Sequence, residues 1–367
     1  MINDKTQCLN LVVTERCNLN CVYCQSNKSF TRTLAFDVAK VAIDEFMGCS
    51  KAEAPAIAFM GGEPFLAFST IKRIVEYIND TYPEKRTQYS IVTNGTLVHG
   101  EIQHWIVNHS SSVQVVLSLD SLGDEHNINR CGSLKKIDID FFLSLPKPII
   151  NTVLTPTSIN SLSSTILSLH QKGFLIKSYL ADGEIWTSES IEILDKELSI
   201  LIDYYLSHPE VYPMSILNQS LYLLFEKNIV KCGTNEYYQV SVATDGKQYA
   251  CHRCTPFENH GSWKIPDQYI GLLNASYLND ECEHCLVKNI CNTCPASNAA
   301  LKEKLSLASI VCQMRRLLLR ANAYMYIMML TKQGDYAALR HLSNQQKVQT
   351  IQAAREILEE THINPLF

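Results

Sequence analysis

Cys17-Asn18-Leu19-Asn20-Cys21-Val22-Tyr23-Cys24 places three thiols in eight residues, spaced C-x3-C-x2-C, directly after the apolar run Leu9 to Val13. Cysteine thiolates are the usual ligands of iron–sulfur clusters and of zinc, and both need several sulfurs around one small inorganic group. Three ligands rather than four is the informative feature. A structural zinc closes its fourth position with protein, whereas a catalytic metal keeps one open. A [4Fe-4S] cluster held by these three thiols would leave one iron free to bind a small molecule. A zinc knuckle with a distant fourth ligand is the alternative on the loop alone.

Outward from the loop, short apolar runs alternate with helical patterns. Strands are expected at Gln7 to Thr14, Ala56 to Met60, Tyr89 to Thr93, Val113 to Leu119, Ile149 to Leu154 and Phe174 to Leu180. Helices are expected at Leu34 to Met47, Ile71 to Ile78, Ile102 to Asn108, near Ile137 to Leu143, at Ser161 to His170 and at Ser188 to Leu206. Strands separated by helices pair in parallel with the helices outside. Six such units are too few for a closed eight-stranded barrel, so the expected fold class is α/β, a partial (β/α)6 barrel. Chemistry in such sheets sits in the loops after the carboxyl ends of the strands, and the polar motifs fall there. The cysteine loop follows strand one, Gly61-Gly62-Glu63-Pro64 strand two and Thr93-Asn94-Gly95-Thr96 strand three. Ser118-Leu119-Asp120-Ser121 ends strand four, and Asp182-Gly183-Glu184 follows strand six.

The chain has 367 residues, room for two domains, and 46% hydrophobic content supports a sizeable core rather than disorder. A net charge of -5 with no basic run argues against nucleic-acid binding through phosphate neutralisation. The first residues, Met1-Ile2-Asn3-Asp4-Lys5, are polar and unlike a signal peptide, and the apolar run within Ala321 to Leu330 is too short to span a membrane. The expected location is the cytoplasm. Fourteen cysteines in a cytosolic chain point to metal rather than disulfides. Eight of them lie between Cys232 and Cys312, and Asp245-Gly246 between apolar and aromatic flanks is a hairpin signal. From Cys312 the chain reads as helical to its end.

The loop spacing, with an aromatic residue before the third cysteine, resembles the signature of the radical S-adenosylmethionine (radical SAM) superfamily. The resemblance implies a cluster on Cys17, Cys21 and Cys24 whose open iron chelates S-adenosylmethionine, and reductive cleavage to a 5′-deoxyadenosyl radical. Gly61-Gly62-Glu63-Pro64 looks like the family's GGE motif. Glycines let backbone approach a ligand closely, and a carboxylate accepts hydrogen bonds from a ligand ammonium. Ser118, Asp120 and Arg130 resemble the strand-four segment of peptide-modifying members, in which a serine and an arginine hold the methionyl and ribose portions. Asn94 and Thr96 are further cofactor candidates, with an ordinary Asn-Gly turn as the alternative.

The C-terminal cysteines resemble the SPASM domain, which carries two further [4Fe-4S] clusters. Cys232 is followed after thirteen residues by Gly246 and after four more by Cys251, then come Cys282-x2-Cys285-x5-Cys291-x2-Cys294 and Cys312. The family places three residues, not two, in the last gap. The resemblance implies an outer cluster on Cys282, Cys285, Cys291 and Cys312, and an inner one on Cys232, Cys251 and Cys294. The inner cluster lacks the family's early fourth ligand, a place for Cys254. Two zinc sites are the alternative. The implied organisation is a barrel over 1–225, a SPASM domain over 226–320 and a helical extension over 321–367. Cys8, Cys49 and Cys131 fit neither field and read as small buried hydrophobes.

SPASM enzymes act on peptide or protein side chains, so the implied substrate is a precursor peptide and the implied donor a flavodoxin or ferredoxin. Anaerobic sulfatase maturases have an Asp where this chain has His252. That departure favours maturases that cross-link ribosomally made peptides, including those forming a carbon–carbon cyclophane, over formylglycine formation. Thioether formation and epimerisation stay open, as does a non-catalytic iron–sulfur or zinc adaptor. His252, Asp182 and Glu184 are the candidate bases. The chain starts at its first strand, so leader recognition is expected from the core, the C-terminal helices or a separate protein.

Overall fold

The structure is a computed structural model and describes residues 1–226, 232, 238–259, 264–265, 280–291, 293–301, 305–332 and 334–360. Two compact units are present: Met1–Asn151 with Cys232–Asn274, and Thr152–Lys231 with Ala275–Phe367.

In the first unit, β1 (Cys8–Thr14) is an interior strand, buried from Leu9 to Thr14. A parallel strand covered on both faces reads as a continuous apolar run rather than an alternation. Its one internal polar side chain, Asn10, donates to Ser241 Oγ at 3.2 Å. Beside it run β2 (Ala56–Gly61), β3 (Gln88–Thr93), β4 (Val113–Ser118) and, through Ile149, Ile150 and Asn151, the start of β5 (Ile149–Leu154), each parallel to the last. The register of β1 against β2 shifts between Val12 and Thr14, where the chain leaves the sheet for the cysteine loop. Helix α1 (Phe36–Cys49) buries Ala39, Ala42, Ile43, Phe46 and Met47, and α2 (Phe68–Thr81) buries Ile71, Ile74, Val75 and Ile78. These are single stripes at helical spacing, facing the sheet. Helix α3 (Glu101–Asn108) completes the third β/α repeat.

Two features of this unit depart from the reading of the sequence. The stretch after β4 holds a short helix, α4 (Asp124–Asn129), before α5 (Ile139–Ser144). Helix α4 is six polar-rich residues whose one aliphatic side chain, Ile128, is 69% exposed, so no periodicity announces it. The second departure is in the later cysteine region. Gln239–Val242 (β7) runs parallel to β1 from Cys8 to Leu11, and Gln248–Tyr249 (β8) returns antiparallel to it. The Asp245-Gly246 hairpin therefore caps the free edge of β1, which would otherwise present unpaired backbone. For this reason the units do not follow chain order.

The second unit contains β6 (Leu175–Leu180), α6 (Leu162–Lys172) and α7 (Ser188–Ser207), the last started by a reciprocal Thr187–Ser190 capping box. Its later part holds α8 (Pro295–Leu301), α9 (Leu305–Thr331) and α10 (Asn344–Glu360). Helix α9 packs on both α7 and α10, and α10 buries Thr350, Ala353, Ala354 and Ile357. Its apolar stripe is packing. Among the described residues no helix is long and apolar enough to cross a membrane.

His170 in α6 meets the Tyr205 hydroxyl at 2.9 Å, and burial lowers its pKa to about 4. The unfolded chain then binds the extra proton first, so stability is full above about pH 6.5 and falls as pH drops toward 4. The two pKa values imply a loss of up to about 3 kcal/mol. Urea unfolding at pH 7 and pH 4.5 should show that fall, reduced in His170→Gln.

Candidate functional site

The carboxyl ends of β1 to β4 border an open cavity of about 220 Å³. Cys17, Cys21 and Cys24 line it with Gly61, Gly62, Glu63, Asn94, Ser118 and Arg130. The motifs expected at these strand ends thus surround one space.

What joins the motifs was not legible in the sequence. Gly61 and Gly62 border the cavity and also lie tight against protein. A Cβ on Gly62 would lie 2.3 Å from the Arg16 carbonyl and 2.9 Å from Cys17 Cβ, and one on Gly61 2.1 Å from the Thr14 carbonyl. The Gly62 and Glu63 amides donate to Thr14 O at 2.9 Å and Arg16 O at 2.8 Å. The glycines let β2 lie directly against the root of the cysteine loop. Gly62→Ala should displace that root, costing about 1–3 kcal/mol as an overpacked contact and lowering iron uptake, read by thermal melting and iron assay.

Glu63 is buried, and its carboxylate accepts from Thr93 Oγ1 at 2.7 Å, the Asn94 amide at 2.8 Å and the Phe65 amide at 3.2 Å. Burial pushes its pKa up to about 7, with those three donors opposing. Pro64 follows at the first position of a short 3-10 turn that the Glu63 side chain caps. Asn94 donates to Asn18 Oδ1 at 2.8 Å, and Asn18 donates to Thr96 Oγ1 at 2.7 Å. Asn18 therefore ties the cysteine loop to the turn after β3, a role that no pattern around it signals. Glu15, also missed, is buried and accepts from Thr244 Oγ1 at 2.6 Å and the Arg32 amide at 2.9 Å.

Arg130 and Asp120 form a buried two-point ion pair, Nε to Oδ2 at 3.0 Å and Nη2 to Oδ1 at 2.9 Å. The carboxylate that this guanidinium meets is the protein's own. Tyr23, inside the cysteine loop, donates to Asp120 Oδ2 at 2.8 Å, and its ring lies 5.4 Å from the Arg130 guanidinium carbon. The Val22 amide donates to Asn129 O at 3.0 Å. The loop is thus held from β2, from β3 and from α4. His126 supports the last: its Nδ1 accepts from the Asp120 amide at 3.3 Å, and burial lowers its pKa to about 4.

The three thiols differ in exposure. Cys24 is exposed, and Lys28 Nζ donates to its sulfur at 3.3 Å, while Cys17 and Cys21 are half-buried. Burial pushes Cys21 up to about 11, opposed by the charge of Arg130, and raises Cys17. Lys28 and Arg130 are the cations that favour thiolates here. A four-iron cluster takes one thiolate per iron, spread around a cube, and three thiols around an open cavity fit it. Cys8 is half-buried, but Cys49 and Cys131 are exposed, which corrects the expectation that both are buried. Cys131 also has a left-handed backbone, φ 57°, and its thiol donates to Asn20 O at 3.1 Å.

Cys251 and Cys254 are buried in the first unit, and their segment is bound to the end of the cysteine loop. Ser26 donates to Glu258 at 2.7 Å, the Asn27 amide donates to Phe257 O at 2.9 Å, and Arg253 donates to Gln25. His252 lies 3.7 Å from Cys251 Sγ through Nδ1, and burial lowers its pKa, so it stands as a neutral imidazole. Cys232 belongs to the first unit and Cys294 to the second. Asp182 and Glu184 also belong to the second, where Ser297 donates to Asp182 at 2.8 Å. In that unit Cys282, Cys285, Cys291 and Cys312 line one further cavity together. Of the residues 233–237 and 260–279, only 264 and 265 are among those described.

Residues 11–143 match the model of the Radical SAM superfamily. The chain carries a radical SAM domain. This superfamily is a class of enzymes that use a [4Fe-4S] cluster and S-adenosylmethionine. An uncharacterised protein of Methanocaldococcus jannaschii is 41% identical over 114 residues, 31% of this chain and 38% of that protein. The radical SAM cyclopropyl synthase TigE of Paramaledivibacter caminithermalis is 27% identical over 147 residues, 35% of this chain and 30% of that protein. The matches thus span well under half the length of these two relatives. The solved structure of anSMEcpe with bound AdoMet and Cp18Cys peptide superposes with a TM-score of 0.69 at 18% identity, over 89% of this chain and 99% of that one. At that identity the likeness shows the fold, the partial barrel of radical SAM proteins with a cysteine-rich C-terminal region.

Proposed function

We propose that this radical SAM chain is a peptide maturase that removes a side-chain hydrogen and closes an oxidative carbon–carbon cross-link in a ribosomally made precursor peptide. The observation that carries the reading is the gathering of two separate thiol sets, Cys17, Cys21 and Cys24 at one cavity and Cys282, Cys285, Cys291 and Cys312 at another. Bound at the first set, the cluster with S-adenosylmethionine supplies the 5′-deoxyadenosyl radical. In this reading Ser118, Asn94 and the Gly61–Glu63 turn border the cofactor, while Arg130 and Asp120 fix the loop. Cys232, Cys251 and Cys254, all of the first unit, are assigned to an inner auxiliary cluster.

Abstraction of one hydrogen leaves a substrate radical, and a cross-link then requires loss of one more electron and one proton. A second iron–sulfur centre is the equipment such a net oxidation needs, and a neutral His252, with Asp182 and Glu184 as alternatives, accepts the proton. A flavodoxin or ferredoxin would deliver the reducing electron. The relative named a cyclopropyl synthase supports carbon–carbon bond formation, since its ring is closed by such a bond. The fold likeness to anSMEcpe favours a second reading, formylglycine formation on a serine or cysteine.

Co-expression with a candidate precursor peptide, followed by tandem mass spectrometry and a carbonyl-reactive probe, separates them. A loss of two hydrogens with fragmentation suppressed between two residues, and no probe labelling, supports the cross-link. Labelling by the probe establishes an aldehyde instead, and an unmodified peptide with intact cofactor cleavage counts against that substrate class.

A further inference from the structure

The four-cysteine cavity of the second unit is bordered by cations as well as thiols. Lys288, Arg315 and Arg316 line it beside Cys282, Cys285, Cys291 and Cys312, and its described lining contains no carboxylate. The Lys288 ammonium is already engaged by the Glu283 carbonyl at 2.8 Å. Arg316 Nη2 lies 3.9 Å from Cys285 Sγ. The Nε groups of Arg315 and Arg316 are both buried with no hydrogen-bond partner. A buried donor atom without an acceptor is costly, and here two occur on successive residues of α9 beside one cavity. The cavity suits an anionic occupant rich in acceptors. A cubane with four thiolates is one, because its net charge is negative and its sulfides and thiolates accept hydrogen bonds.

We infer that Arg315 and Arg316 set the reduction potential of an iron–sulfur centre on these four cysteines, an inference that rests on the four-cysteine assignment proposed above. Reduction by one electron adds a negative charge to the centre. Two adjacent guanidiniums stabilise the reduced form more than the oxidised one and so raise the potential. Net charge and hydrogen bonds to the sulfurs are the protein's main levers on such centres. The pair are positioning residues for charge, with no contact to substrate.

The test uses full-length protein reconstituted anaerobically, with redox titration followed by electron paramagnetic resonance. The signal lost in Cys285→Ser marks the outer centre. Arg315→Gln and Arg316→Gln should each make reduction of that centre at least tenfold less favourable, a downward shift of about 59 mV for a one-electron couple. Arg316→Lys should keep most of the wild-type value. An unchanged potential in the Arg315→Gln/Arg316→Gln double variant overturns the inference. Where Arg316→Gln fails to assemble the centre, assembly in Arg316→Lys still supports the charge, and failure in both overturns it. If Cys285→Ser removes no iron signal, the four-cysteine assignment itself falls, and the inference with it.

Discussion

Alanine at Cys17, Cys21 or Cys24 should abolish formation of 5′-deoxyadenosine while leaving most of the iron in place. Each of these thiols borders the cavity at the strand ends. With three protein ligands there is no spare, so loss of one leaves two irons without protein. The change should be mild for the fold. Cys24 is exposed, Cys21 is half-buried, and alanine at 17 keeps the Cβ that packs beside Gly62. Iron should fall by about four atoms from the roughly twelve that three [4Fe-4S] clusters imply, with the thermal midpoint nearly unchanged. Cleavage that survives in all three variants would show that the loop does not hold the reactive centre.

Removing the carboxylate of Asp120 should have the largest structural effect in the barrel. It is 2% exposed at the side chain and meets two nitrogens of Arg130, itself 7% exposed. Tyr23 and Asn129 donate to the same oxygen. Asp120→Ala would strand a buried guanidinium, which typically costs about 3–5 kcal/mol. It would also free Tyr23 between two cluster cysteines. We expect a lower thermal midpoint and loss of iron from the first site together. Asp120→Leu with Arg130→Met should recover much of the stability, because removing both charges leaves none unpaired. That double variant should not recover full iron uptake, since Tyr23 still lacks its acceptor. Equal stability in the single and double variants would mean that the pair contributes no coupling.

Much of the barrel was legible because parallel strands announce themselves. Cys8–Thr14 and Ile149–Leu154 are largely apolar runs without Gly or Pro, neighboured by amphipathic helices, and the polar motifs cluster at the strand ends. The cysteine spacing likewise marked its loop and the four cysteines of the later cavity. Contacts between side chains distant in the chain were not legible. Asn18 bonding Asn94, Glu15 bonding Thr244 and Glu63 accepting from the β3 turn are pairings that no local pattern encodes. Arg130 borders the cavity, but nothing around it in the sequence says that its guanidinium meets the carboxylate of Asp120. Strand β7 was hidden because pairing with β1 is a choice made by the edge of the sheet, some 230 residues earlier in the chain.

The account depends on three thiols holding a cluster that leaves one iron for S-adenosylmethionine. Its most direct test is an anaerobic incubation of the reconstituted full-length protein with S-adenosylmethionine and dithionite, with 5′-deoxyadenosine quantified by liquid chromatography. The account predicts steady formation of 5′-deoxyadenosine that vanishes in Cys17→Ala. No 5′-deoxyadenosine from a protein carrying its full iron and sulfide would contradict it.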